Sequence, residues 1–245
     1  DILGIYKNIS DDYIIIVYKT SYINLHRFTK KIKFHTKHKI VEKILASIIY
    51  QVLIGIKYLS NNDLIFGNIK TFNILINKNG TVKISDFLAI KDLYIKERLD
   101  DTMRPDLSNY EYIYYNYCDR DMEGRPCQNK TDFRGLILLI IQCLKYNFDN
   151  ITIYEHNIVH SYIHNIYENN FLKNKLEDLN ISVELYNFLS LGIDLARYDQ
   201  NVDNINKLLN HEWFKNQEIN CIDDCKKIIK ELLKNIRKKN PSKVI

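Results

Sequence analysis

Two side chains in the first half of the chain could bind a hard metal ion together. Asn73 offers an amide oxygen and Asp86 a carboxylate, and the two residues lie thirteen positions apart. Oxygen donors of this kind are the ligands that Mg²⁺ prefers in proteins. A structural interpretation stays open, in which Asn73 and Lys70 only hold a loop and Asp86 caps a turn.

The elements around this pair are predicted from apolar spacing and turn residues. Residues 73–76 and 82–84 are short β-branched runs, and Gly80 between them can supply the positive φ of a hairpin turn. Upstream, residues 41–60 carry apolar side chains at i, i+3 and i+4 over five turns, which predicts a long helix. The residues of this stripe are Ile44, Leu45, Ile48, Ile49, Val52, Leu53, Ile56 and Leu59.

Further strands and helices are predicted on both sides of this region. Residues 2–6 and 13–18 form apolar runs separated by polar turn residues, which is typical of strands. Helical patterns are predicted at residues 25–32 and 222–238.

The order and spacing of these residues resemble the catalytic loop and metal-binding turn of a eukaryotic-type protein kinase. The kinase pattern H-R-D-x-K-x-x-N falls on Phe66, Gly67, Asn68, Lys70 and Asn73, and D-F-G falls on Asp86, Phe87 and Leu88. The resemblance implies an α+β, protein-kinase-like fold with a mostly helical C-lobe and an incomplete N-lobe sheet. Residues 1–214 would be the kinase-like domain, with 1–20 as the N-lobe remnant and 21–214 as the C-lobe. Residues 131–140, 181–189 and 208–214 resemble helices of the family's C-lobe. Residues 215–245 would be a C-terminal amphipathic helix and basic tail.

The same resemblance implies roles for individual residues. Asn73 and Asp86 would hold the metal, and Lys70 would steady the transferring phosphate. The adenine pocket would take its residues from the end of the second strand, from the hinge and from the floor, where Leu75 could equally be plain core. These pocket residues are Val17, Tyr18, Lys19, Thr20 and Leu75. ATP and Mg²⁺ are the cofactors if this nucleotide site functions.

The position of the catalytic base is changed. Asn68 stands where the family has an aspartate, and a neutral amide can orient a hydroxyl but cannot accept its proton. We therefore expect an inactive pseudokinase that acts as a binding or allosteric scaffold. One alternative is an active ATP-dependent Ser/Thr kinase whose N-lobe lies outside these residues, since the chain lacks an initiator Met and is expected to be a fragment. A weaker alternative is a relative of the stress-sensor kinase/ribonucleases.

Two further positions follow from the resemblance. Asp132 falls where a buried aspartate normally holds the backbone of the catalytic loop. Val202 replaces an arginine that usually pairs with a glutamate of the activation segment, and no Ala-Pro-Glu is found there.

Composition narrows the class of protein and its partners. The net charge is +5, from 35 basic and 30 acidic residues, which does not indicate nucleic-acid binding. The five cysteines have no metal-site spacing, no signal peptide is visible and no apolar run is expected to span a membrane. We expect an intracellular protein, cytoplasmic or nuclear. The apolar stripe of the tail helix would pack on its own C-lobe, on a second copy or on another protein.

Overall fold

A computed structural model gives the fold, and it describes residues 2–8, 13–18, 22–32, 38–62, 64–66, 69–85, 91–92, 131–145, 176, 181–196 and 202–239. These residues form an α+β arrangement in which helices dominate and the strands make small antiparallel sheets. The expectation of a kinase-like α+β fold is confirmed.

The first two strands form a hairpin. Strand β1 (Ile2–Asn8) pairs antiparallel with β2 (Tyr13–Tyr18), and the register shifts between Ile2 and Gly4. Both strands were predicted from their apolar runs, and β1 extends two residues further than the pattern indicated.

Two more sheets are built from short strands. Strands β3 (Tyr22–Asn24), β5 (Ile74–Asn77) and β6 (Val82–Ile84) form one antiparallel sheet in the order β3-β5-β6. Strand β4 (Leu64–Ile65) pairs with β7 (Lys91–Asp92). Strands β3, β4 and β7 were not predicted, because two or three residues are too few to show a period of two and, unlike β6, they do not follow a predicted hairpin turn.

Seven helices are present in the described part of the chain, and most lie where the sequence pattern placed them. They are α1 (Leu25–Ile32), α2 (His38–Ser60), α3 (Thr131–Lys145), α4 (Val183–Leu195), α5 (Val202–Leu209), α6 (Glu212–Asn216) and α7 (Ile222–Lys239). The single pattern over residues 208–214 proved to be the end of α5 followed by α6, because His211 caps a new helix through its side chain.

Helix α2 is the centre of the hydrophobic core. Its whole predicted apolar stripe is buried, and α3, α5, α6 and α7 pack around it. By length and composition alone, the stretch Glu42–Ser60 is apolar enough to cross a membrane. Most of the stretch is covered by the protein's own elements, as in the core helix of a globular domain.

A buried glutamine joins α2 to the β5–β6 hairpin. The Gln51 side chain donates to the carbonyl of Gly80 at 3.1 Å and accepts from the backbone N–H of Val82 at 3.0 Å. Gly80 has a φ of 82°, as the turn pattern predicted. These bonds satisfy backbone groups on both sides of the turn and fix the hairpin against the core.

Helix α7 docks on α2 through its apolar stripe. Cys225, Ile229 and Leu233 are buried in the same core as α2. The Asp224 carboxylate accepts hydrogen bonds from the backbone N–H groups of Asn220 and Cys221, which caps the first turn. Of the occupants expected for this stripe, the structure therefore shows the chain's own helix α2.

Candidate functional site

The loop that carries the candidate site is held from beneath by a buried carboxylate. The backbone N–H of Phe66 donates to Oδ2 of Asp132 at 3.0 Å, and both residues are fully buried. This is the contact that the resemblance predicted for Asp132. This hydrogen bond connects α3 to the start of the loop and holds the loop backbone close to the helix.

A glycine of α3 lets the next part of the loop come close. A Cβ built on Gly135 would lie 2.9 Å from Cβ of Ile69, closer than two side-chain carbons can approach. Ile69 is itself buried. Helix α3 thus supports the loop at two points, Phe66 and Ile69, on either side of the base position.

Asn73 connects the loop to the strand that precedes the metal-binding turn. Its backbone N–H donates to the carbonyl of Lys70 at 2.9 Å. Its carbonyl accepts from the N–H of Ser85 at 2.8 Å and from Oγ of Ser85 at 3.1 Å. Because Ser85 directly precedes Asp86, the structure brings the backbones of the two segments carrying the predicted metal pair side by side.

The remaining described residues of the predicted site lie around this junction. Lys70 is half-buried in the loop. Leu75 is half-buried on β5, whereas its neighbours Ile74 and Ile76 are buried, so it lies on the face of the strand opposite the core. Val17 and Tyr18 end β2, for which only the backbone is described.

Several predicted residues lie outside the described part of the chain. They are Lys19, Thr20, Asn68 and Asp86, together with Gly67, Phe87 and Leu88. Within the described ranges, no group of three or more His, Cys, Asp or Glu side chains could hold a metal ion. The assignment of Asn73 and Asp86 to a metal therefore stays a prediction, as do the adenine-pocket roles.

Contacts from α1 to the loop were missed by the sequence interpretation. The backbone N–H of His26 donates to the carbonyl of Thr71 at 3.2 Å. The rings of His26 and Phe72 stack with centroids 4.4 Å apart. Asn24 caps α1 by accepting from the N–H of Arg27 at 2.9 Å, which orients the first turn of the helix toward the loop. Asn24 was the available signal, since asparagine before a helical pattern is a common N-cap.

We expect Asp132→Ala to loosen this loop. The substitution leaves the buried N–H of Phe66 without its acceptor, at a cost of about 2–3 kcal/mol in the free energy of unfolding. Asp132→Asn keeps one acceptor oxygen and should cost less. Thermal melts of both variants provide the measurement, and equal melting temperatures for Asp132→Ala and the wild type would contradict the anchoring role.

Comparison with known proteins agrees with this arrangement. The family model "Protein tyrosine and serine/threonine kinase" matches residues 1–113. The serine/threonine-protein kinase pakG of Dictyostelium discoideum is 34% identical over 107 residues, 44% of this chain and 9% of that protein. The sporulation-specific mitogen-activated protein kinase SMK1 of Saccharomyces cerevisiae is 28% identical over 100 residues, 40% of this chain and 26% of that protein.

A third relative covers a shorter segment. Mitogen-activated protein kinase kinase 10 of Arabidopsis thaliana is 44% identical over 48 residues, 20% of this chain and 16% of that protein. In all three cases the match spans about a quarter or less of the relative's length. The family match over residues 1–113 and the buried Asp132 contact at the predicted position both support the resemblance of this chain to the eukaryotic-type protein kinase superfamily.

Proposed function

We propose that this domain is a pseudokinase that works as a binding or allosteric scaffold. The observation that carries the proposal is the residue at the base position: Asn68 stands between Phe66 and Ile69, which α3 holds in place. Helix α3 thus supports the residues on both sides of the base position, but the amide of Asn68 cannot accept a proton. A domain that keeps the frame without the base retains its shape for binding.

Other sequence positions support a fixed, non-switching domain. Gly67 removes the arginine that would bind an activation-loop phosphate, so control by phosphorylation through that contact is not expected. Leu88 replaces the glycine that lets the metal-binding turn change conformation. We also infer an intracellular location, as for protein kinases generally, and a protein as the partner.

We expect no phosphoryl transfer from this 245-residue chain. The purified protein would be incubated with labelled ATP, Mg²⁺ and generic protein substrates. Asp86→Ala, which removes the predicted metal carboxylate, is the matched control for background labelling. Turnover of the wild type above that of Asp86→Ala would overturn the proposal.

Restoring the carboxylate provides a second arm of the same test. A general base typically contributes about 10²–10⁴-fold to a rate. We expect Asn68→Asp to remain inactive, because these 245 residues contain no Gly-x-Gly-x-x-Gly sequence to position the phosphates. A rise in the rate of phosphoryl transfer of a hundredfold or more would show that Asn68 alone made the site inactive.

The second candidate is an active Ser/Thr protein kinase. It is favoured by the retention of Lys70 and Asn73 at their family positions and by relatives whose names describe them as kinases. Nucleotide binding separates the candidates, since a ligand at 100-fold saturation stabilises a protein by about 2.7 kcal/mol. We expect little or no rise in melting temperature with Mg-ATP. A rise that Asp86→Ala abolishes would favour a nucleotide-binding enzyme or sensor.

A further inference from the structure

The excess positive charge of the chain is concentrated on α7. The helix contains seven basic and three acidic residues, so it carries four of the five net charges. The other residues are nearly balanced, with 28 basic against 27 acidic. A charged partner of this domain would therefore be attracted to one element rather than to the whole surface.

Docking on α2 fixes which side of α7 faces outward. With Cys225, Ile229 and Leu233 buried, the opposite side of the helix must face solvent. Lys227, Lys230 and Lys234 follow one another at i, i+3 and i+7 on this outer side, and all three are exposed. We call these three residues the lysine row. It runs about 10 Å along the helix axis.

The lysine row forms no close ion pair, although one of its charges acts within α7. Hydrogen bonding from the backbone N–H of Asn220 is the main cause that lowers the pKa of the Asp224 carboxyl, and the charge of Lys227 adds to this effect. In the part of the chain that the structure describes, none of the three lysines lies within 4.0 Å of an acidic side chain. The two described ion pairs involve other lysines, Lys43 with Glu218 and Lys226 with Asp223. Glu231 is exposed at the edge of the row and is the one acidic residue between its ends.

We propose that the lysine row is a docking surface for an anionic lipid membrane, which it contacts peripherally. The row lies on the solvent-facing side of α7 and consists of lysines alone, whose compact ammonium groups lack the planar fork by which arginine recognises a particular anion. Such a surface responds to charge density rather than to shape. A membrane rich in anionic headgroups supplies charge density over a plane, and clusters of basic residues on amphipathic helices bind such membranes.

The buried stripe sets the mode of contact. An amphipathic helix normally inserts its apolar face between lipids, but here that face is packed on α2. Binding must then be electrostatic and without insertion, and it should weaken as salt shortens the Debye length from about 10 Å at 0.1 M to about 3 Å at 1 M. The proposal does not depend on whether the kinase site is active.

Vesicle co-sedimentation of the whole chain tests the proposal. We expect binding to vesicles that contain phosphatidylserine, no binding to vesicles of phosphatidylcholine alone, and release at high salt. The variant Lys227→Gln/Lys230→Gln/Lys234→Gln should bind about a hundredfold more weakly, since each lysine near an anionic surface contributes about fivefold. The control Arg27→Gln/Lys207→Gln/Lys215→Gln removes three exposed basic residues from other helices and should bind like the wild type.

Three results would overturn the proposal. The first is wild-type protein that does not bind phosphatidylserine vesicles, and the second is an equal loss of binding in the two triple variants. The third is tighter binding to duplex DNA or to an acidic polypeptide than to the vesicles, which would assign the row to that partner.

Trp213 is the only tryptophan and is fully buried. Its emission should therefore stay unchanged on binding, whereas a shift would mean that the core opens and α7 leaves α2.

Discussion

Replacement of Glu42 by alanine should lower the free energy of unfolding by roughly 3–5 kcal/mol, because three donors lose their acceptor at once. The Glu42 side chain is buried at the N-terminal end of α2. It accepts from the N–H of Ser182 at 2.7 Å, from Oγ of Ser182 at 2.6 Å and from Nε1 of Trp213 at 3.4 Å. One side chain thereby connects α2 to the beginning of α4 and to α6.

The Ser182 contacts make the expected loss larger than that of one ordinary hydrogen bond. Ser182 is the N-cap of α4, and its Oγ accepts from the N–H of Leu185 at 3.2 Å. Glu42 holds the hydroxyl in the orientation that this cap requires. Without Glu42, the cap and the indole of Trp213 both face a buried space that offers no acceptor.

Thermal unfolding measures the effect, with a fall of roughly 10 °C in melting temperature expected for a domain of this size. Glu42→Gln keeps one acceptor oxygen and should lie between the wild type and Glu42→Ala. The matched control is Glu184→Ala, which removes a glutamate that bonds Asn216 at the surface and should change the free energy by less than about 0.5 kcal/mol. A Glu42→Ala variant as stable as this control would refute the role assigned to Glu42.

Gly80→Ala should destabilise the protein by about 3 kcal/mol and release α7 from α2. The φ of 82° at Gly80 disfavours any residue with a Cβ. A Cβ at this position would also lie 2.2 Å from the carbonyl oxygen of Lys226, a backbone atom of α7 that no side-chain rotation can move. Either the β5–β6 hairpin or α7 must therefore move. We expect α7 to move, because it lies at the edge of the core.

Reactivity of Cys225 reports on this release. Cys225 lies on the face of α7 that packs on α2, and its thiol is buried. Desolvation, together with the neighbouring Asp224 and Cys221, raises the pKa of this thiol to about 12, which keeps it unreactive. Mass spectrometry after treatment with a thiol-labelling reagent should show faster modification of Cys225 in Gly80→Ala than in the wild type. Gly192→Ala is the control, because its Cβ would meet only the side chain of Ile137, at 3.2 Å. Unchanged labelling and an unchanged melting temperature in Gly80→Ala would show that the turn does not hold α7.

The sequence by itself determined the elements whose signals are local. The apolar period of α2 spans enough turns to be unmistakable, and the positive φ of Gly80 followed from its place in a turn between two β-branched runs. The family resemblance also predicted that Asp132 holds the backbone of the loop, because residues 131–140 resemble the central helix that carries this aspartate in the family.

Only the tertiary structure decided which distant groups meet. Glu42 looks like an ordinary surface residue in the first turns of α2, and its partners lie about 140 and 171 positions away along the chain. The stripe of α7 predicted a buried face but not what covers it, since any apolar surface would serve equally well. Docking on α2 settled that question and also determined which lysines face outward, because fixing one face of a helix fixes the opposite face.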